Sequence, residues 1–182
     1  DMQRVPDHRA TNASIPLDDV LMSGFAMFSL KDPSLLAFDQ RRQEEPESLH
    51  GVFGVGVIPS DTQMRTILDK VLPTHLRRPF GSIFHQLQRG KVLNKMRCFG
   101  DYLLLAIDGT GIYSSENIGA DYCLTKEKRN GTLEYHLQMV TGAFVSPERK
   151  EVLPLCPEPI RRQDGATKDD CERNATRRLL AD

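Results

Sequence analysis

The feature that most constrains the fold is the run YLLLAI at residues 102–107, followed at once by Asp108-Gly109. A continuous apolar run closed by a turn signal is the pattern of a strand buried on both faces. Asp-Gly is a strong hairpin signal, so residues 112–115 are expected to return antiparallel. Asn130-Gly131 marks another turn, and residues 134–145 (EYHLQMVTGAFV) read as a long strand. Residues 146–150 (SPERK) make a tight connection to a partner strand over 151–155, and Pro154, Pro157 and Pro159 are expected to stop the sheet. In residues 168–180 (KDDCERNATRRLL), Cys171, Ala175 and Leu179 fall on one stripe, which predicts a helix. The order is a three-stranded antiparallel meander with 102–107 innermost, and then a helix.

Upstream of Cys98 the chain reads as helical. Residues 18–30 (DDVLMSGFAMFSL) are apolar almost all round, as in a helix buried on most sides, with Asp18 and Asp19 suiting its dipole. Residues 39–48 (DQRRQEEPES) read as a polar linker and 51–56 (GVFGVG) as irregular. Ser60 and Gln63 form a capping box. Behind it Met64, Ile67, Leu68, Val71 and Leu72 define a helix face, ended by Pro73. After the joint THLRRP at 74–79, Ile83, Phe84 and Leu87 predict a short helix closed near Gly90. The fold class is α+β: a helical, partly basic region over 1–97, then a second domain over 98–182.

Composition bears on partners through its distribution. The 182 residues hold 24 basic and 25 acidic side chains, a net charge of -1. Between Thr62 and Arg97, however, Arg65, Lys70, Arg77, Arg78, Arg89, Lys91, Lys95 and Arg97 face the lone acid Asp69. That asymmetry points to a polyanion; a solvated basic face is the alternative. The joint between the two helices is longer than the ~3–4 residues of a helix-turn-helix, so that motif is not supported. His75 and His85 read as phosphate or surface contacts. Cys98, Cys123, Cys156 and Cys171 lack zinc-ligand spacing and read as reduced, packed thiols. The sequons at Asn12, Asn130 and Asn174 read as chance. No apolar run approaches the ~18–20 residues of a membrane span. The chain opens on Asp1 and closes within an amphipathic pattern, which suggests a fragment or a shortened reading frame.

Asp108 is the leading chemical candidate. A carboxylate leaving a central strand beside glycines is well placed to hold a divalent metal through hard oxygen ligands; a plain hairpin turn is the alternative. Ser114 and Ser115 lack a partnered His–Asp pattern, so no serine nucleophile is expected.

The string LLLAIDGTGIYSS, the strand pair EYHLQMVTGAFVSPERKEVLPL and the helix KDDCERNATRRLL after PEPI resemble a bacterial insertion-sequence transposase of the DDE class, with its ribonuclease H-like catalytic domain. The stretches RVPDHRATNASIPLDDVLMSGFAMFSLKDPSLLAFDQRR and IPSDTQMR resemble the same family's leader region. The resemblance covers essentially the whole chain. It implies DNA transposition in the bacterial cytoplasm and nucleoid, with double-stranded transposon ends as partner and self-assembly allowed. Three carboxylates would bind Mg²⁺ or Mn²⁺ for attack on a phosphodiester. Asp108 matches the first of them; the second Asp and the Glu are expected beyond Asp182, so the chain carries one third of the triad. DNA-binding candidates are Arg65, Arg77, Arg78, Arg89, Lys91, Lys95 and Arg97. Lys168 and Glu172 are supporting candidates at the metal or DNA, although acids at a helix start also simply satisfy its dipole. A DNA-binding remnant without catalysis and another ribonuclease H-like nuclease are the competing readings.

Overall fold

The computed structural model describes residues 2–119, 123–161 and 171–181. Two compact units divide the chain, Asp1–Ser82 and Ile83–Asp182.

The first unit is helical: α1 (Leu17–Ser29), α2 (Leu35–Glu44), α3 (Pro46–Gly51) and α4 (Asp61–Leu68). Val20, Ala26, Phe38, Leu49 and Met64 build its core at essentially zero exposure. α1 is buried on most sides, as expected: Leu17, Val20, Leu21, Ser23, Gly24 and Ala26 are buried, and only Phe25, Phe28 and Ser29 are exposed. The expected linker at 39–48 is instead α2 and the start of α3. Its charges pair at helical spacing, Arg42 with Asp39 at 2.8 Å and Arg41 with Glu45 at 3.5 Å. Arg41 also reaches back to the buried Asp32 at 2.7 Å, and Phe38 drives the helix into the core. Asp39 further accepts from the Asp61 N–H that opens α4.

The capping box of α4 is present, with Gln63 N–H donating to Ser60 Oγ (3.3 Å) and Ser60 N–H to Gln63 Oε1 (2.9 Å). α4 stops at Leu68 rather than at Pro73. Val71 still packs beside Val5, Leu17 and Leu21, so the face outlasts the helix by that residue, but Leu72, expected on the same face, is 59% exposed. Pro73–Leu76 is a 3-10 turn leading into α5 (Arg77–Arg89). Of the stretch 51–56 expected to be irregular, Gly51 instead ends α3 and the rest is turn and irregular chain, held where the Asp19 carboxylate accepts from Gly56 N–H (2.9 Å) and Val57 N–H (2.7 Å).

In the second unit the sheet comprises β1 (Leu104–Ser115), β2 (Leu124–Glu127), β3 (Leu133–Val145), β4 (Leu153–Pro154) and β5 (Glu158–Pro159), with α6 (Glu172–Ala181) against it. β3 is the centre. β1 runs antiparallel along one side of it, from Leu104↔Val145 to Ser115↔Tyr135. β2, β5 and β4 pair successively further along β3, at 133–136, 139–140 and 143–144. α6 buries Ala175 and Leu179 with Leu124, Val140 and Ile160, and Ile107 and Leu155 pack around them.

Three expectations are corrected here. Asp108-Gly109 is not a turn: β1 continues through it to Ser115, with one bulge between Gly111 and Tyr113. Residues 102–107 are not the innermost strand, since β1 bonds to β3 alone and its residues alternate between exposed and half-buried. Leu105 and Ile107 point to the α6 side, whereas Leu104 and Ala106 are exposed, so the apolar run covers one face and shows the other. Finally, Pro154 and Pro159 belong to the sheet, in two-residue pairings along the flank of β3 where a missing N–H is tolerated. The partner of β3 over 151–155 is correspondingly short. Asn130-Gly131 does turn the chain, with Gly131 at φ 79° and Lys128 N–H bonded to Thr132 O at 2.9 Å.

Candidate functional site

The basic segment occupies α4, α5 and the 3-10 turn Leu93–Met96. Arg65 and Arg78 are exposed in the first unit, and Arg77 is half-buried there. Arg77 and Arg78 open α5 with no acid in its first turn. Cations at that end oppose the helix dipole, while an anion there is favoured by the dipole and by the guanidinium groups.

In the second unit α5 is anchored by Phe84, whose ring lies 5.8 Å from that of Phe144. α5 closes through Val92 N–H on Leu87 O (2.9 Å) and Lys91 N–H on Gln88 O (3.0 Å), a Schellman pattern. The left-handed residue is Lys91, φ 57°, and not the adjacent Gly90. Leu93 and Met96 are then buried, which turns Lys95 outward, and Arg149 Nε donates to Lys95 O at 2.8 Å. Arg89, Lys91 and Lys95 are exposed. Together with Arg65 and Arg78 they make no ion pair among the described residues. Arg97 differs: its guanidinium bonds both the carboxylate and the carbonyl of Asp101 at 2.7 Å. That pairing offsets its charge.

Asp108 lies in the middle of β1, exposed, opposite Thr141. Its Oδ1 accepts from the N–H of Gly109 at 2.8 Å. Glu172, in the first turn of α6, rests against the Cα of Gly109 on the side where a Cβ would stand. Neighbouring residues of a strand point to opposite faces. Glu172 therefore lies on the α6 face of the sheet and the Asp108 side chain on the other. Lys168 lies outside the described residues, as do Asp164, Asp169 and Asp170. Among the described residues no group of three or more His, Cys, Asp or Glu side chains could hold a metal ion. The residues described thus do not by themselves fit a Mg²⁺ or Mn²⁺ site.

One juxtaposition was not read from the sequence. Ser114 stands opposite His136 across β1 and β3, and Lys126 stands opposite Glu134 across β2 and β3. All four line an open depression of about 400 Å³. No hydrogen bond joins Ser114 to His136 among the described residues. Only the strand register brings these residues together, and no local motif carries it. Nearby, Lys128 bridges Glu116 (2.7 Å) and Glu134 (3.2 Å), which raises its pKa, Glu116 contributing most.

All four cysteines are free thiols, Cys123 buried and Cys171 exposed. Among the described residues no helix is long and apolar enough to cross a membrane. Compared with family models, curated proteins and solved structures, the chain matches none.

Proposed function

We propose that this chain is the leading, DNA-holding part of a DDE-class transposase, with Asp108 on the first strand of a ribonuclease H-like domain. The observation that carries the reading is that each unit exposes basic side chains that are not ion-paired among the described residues, Arg65 and Arg78 in the first and Arg89, Lys91 and Lys95 in the second. Exposed cations that make no ion pair are the groups that replace counterions on a phosphate backbone. The order of elements supports the domain reading: an acid on β1, an antiparallel partner strand, a third line of short strands, and then α6 packed on one face. The partner is double-stranded DNA at transposon ends, and the setting is the bacterial cytoplasm and nucleoid.

The activity assigned to these residues is binding. Phosphate contacts fix position without reading sequence, so unrelated duplexes should bind alike at low salt. Fluorescence anisotropy with labelled duplexes tests this. Affinity should fall steeply with salt, with a log–log slope of about -0.9 per phosphate contact. It should be indifferent to EDTA, because no metal enters the contact. An absence of DNA affinity at about 50 mM salt, the low end of the range where such contacts dominate, would remove the reading.

A further inference from the structure

Between the 3-10 turn Leu93–Met96 and β1 the chain closes a tight hairpin turn. Cys98 N–H donates to Tyr102 O at 2.9 Å, and Tyr102 N–H to Cys98 O at 3.3 Å. Inside it Phe99 and Gly100 are both left-handed, at φ 50° and 92°. Glycine takes that conformation freely, whereas a residue with a bulky side chain is strained in it. The Arg97 guanidinium, bonded to the carbonyl and the carboxylate of Asp101, holds the turn shut. Packing does not account for the aromatic residues. Phe99 is 78% exposed and Tyr102 74%, and neither ring packs on another aromatic ring among the described residues. Backbone strain held without burial directs attention to a contact made outside the fold.

We propose that Phe99 and Tyr102 form a stacking platform for unpaired DNA bases, with the cations beside the turn following the phosphates. The inference deepens the DNA reading and rests on it for the polyanion; the capture of bases is the added claim. Charge selects this occupant. Arg89, Lys91 and Lys95, in the segment leading into the turn, are exposed and make no ion pair among the described residues. Arg149 joins them through Lys95 O at 2.8 Å, with Glu151 no nearer to it than 3.9 Å.

The rim of the turn argues against an apolar cover. The Asp101 side chain is 90% exposed, and a protein core laid over the rings would take the Arg97–Asp101 pair out of water at a desolvation cost. A single DNA strand meets both conditions. It offers flat faces to the rings and phosphates to the cations, and it leaves the ion pair wet. In a duplex the bases are stacked on one another and out of reach, so the platform selects unpaired ones.

Anisotropy titrations of the full chain against a duplex, a single strand and an abasic strand of equal length test the platform, since the two strands carry the same phosphates. The single strand should bind more tightly than the abasic one. Phe99→Gly, which suits the turn, and Phe99→Leu, which keeps apolar bulk, should each weaken the single strand roughly five- to hundredfold, the range of one lost base–ring stack. Both should leave the abasic strand unchanged. The chain has no tryptophan, so Phe99→Trp adds a unique fluorophore; it should keep the affinity and be quenched by the single strand alone. Circular dichroism checks that each variant folds. Equal binding of the two strands by the wild type would overturn the proposal, as would Phe99→Gly and Phe99→Leu variants that bind the single strand like the wild type. So would a Phe99→Gly variant that changes self-association in sedimentation but not base-dependent binding, because the ring would then meet a second copy. Duplex affinity with no preference for bases removes the platform and keeps the earlier reading; base-dependent binding with no duplex affinity does the reverse.

Discussion

Lys91→Gly separates binding from stability, because the structure makes the two effects opposite in sign. Lys91 ends α5 in the left-handed conformation, φ 57°, where an L side chain is strained by about 1–2 kcal/mol and glycine is not. Glycine also widens the unfolded ensemble, which offsets about 0.4–1 kcal/mol of that gain. The net expectation is a chain more stable by about 0.5–1 kcal/mol in urea unfolding, with the Schellman bonds retained. Removal of the exposed ammonium meanwhile deletes one candidate phosphate contact. The salt slope should shallow by about 0.9, so the loss of affinity between about 50 and 200 mM salt narrows roughly 3.5-fold. Anisotropy titrations at several salt concentrations, with urea melts of the same preparations, read both quantities. A slope unchanged from wild type would show that Lys91 does not meet DNA. A fall in stability would refute the cap argument.

Two further outcomes follow from the ion pairs. Glu158 is buried, its carboxylate 2.6 Å from Arg178 Nε, and Arg178 Nη2 also donates to Pro159 O at 3.1 Å. Removing one partner of such a pair costs about 3–5 kcal/mol when both are buried. With the Arg178 side chain 40% exposed, Arg178→Ala should cost about 2–3 kcal/mol in urea unfolding, and Glu158→Gln less, since it keeps an acceptor. Equal, negligible costs would show that α6 does not depend on this tether. Asp7 is held at a pKa of about 2, first by its side-chain bond from Arg9, against an ordinary 3.8. A depressed carboxyl stabilises above its unfolded value and loses that contribution as pH falls through the folded one. Asp7→Asn should therefore be less stable than wild type at neutral pH, by at most about 1 kcal/mol for so exposed a pair, with the gap closing between about pH 4 and pH 2. A gap constant with pH would exclude the ion pair as its source.

What was legible in the sequence was local. The box of Ser60 and Gln63, the turn at Asn130-Gly131 and the long β3 each declare themselves within a few residues. Helices α2 and α3 did not, because their anchor is distant: Arg41 to Asp32, with Phe38 and Leu49 in a core built by α1 and α4. Composition alone made DQRRQEEPES a linker. The position of β1 was hidden for a similar reason. A continuous apolar run reports that side chains are apolar on both faces, not that both faces are covered, and it carries no information about which edge finds a partner. The meeting of Ser114 with His136 required the register across the Gly111–Tyr113 bulge. Glycine made a natural end for α5, yet the bond pattern placed Lys91 in the left-handed site.

The same register changes what Asp108 can be. As a turn residue it would bond its own backbone and fix a hairpin, and its replacement would be felt in folding. In mid-strand it has no such duty: β1 passes straight through it, its Oδ1 meets only the next N–H, and its partner position Thr141 lies in the antiparallel ladder whatever the side chain. Asp and Asn are similarly poor strand residues, so Asp108→Asn should change the unfolding free energy by less than about 0.5 kcal/mol, the usual range for exposed substitutions. DNA affinity should stay within about twofold, since removing one carboxylate distant in sequence from Arg89, Lys91 and Lys95 deletes no phosphate contact. Urea unfolding and anisotropy on the same variant decide it. A loss of stability beyond about 1 kcal/mol would assign Asp108 a structural duty. A change within about 0.5 kcal/mol would leave Asp108 an exposed acid that folding does not need, on the face of the sheet away from Glu172.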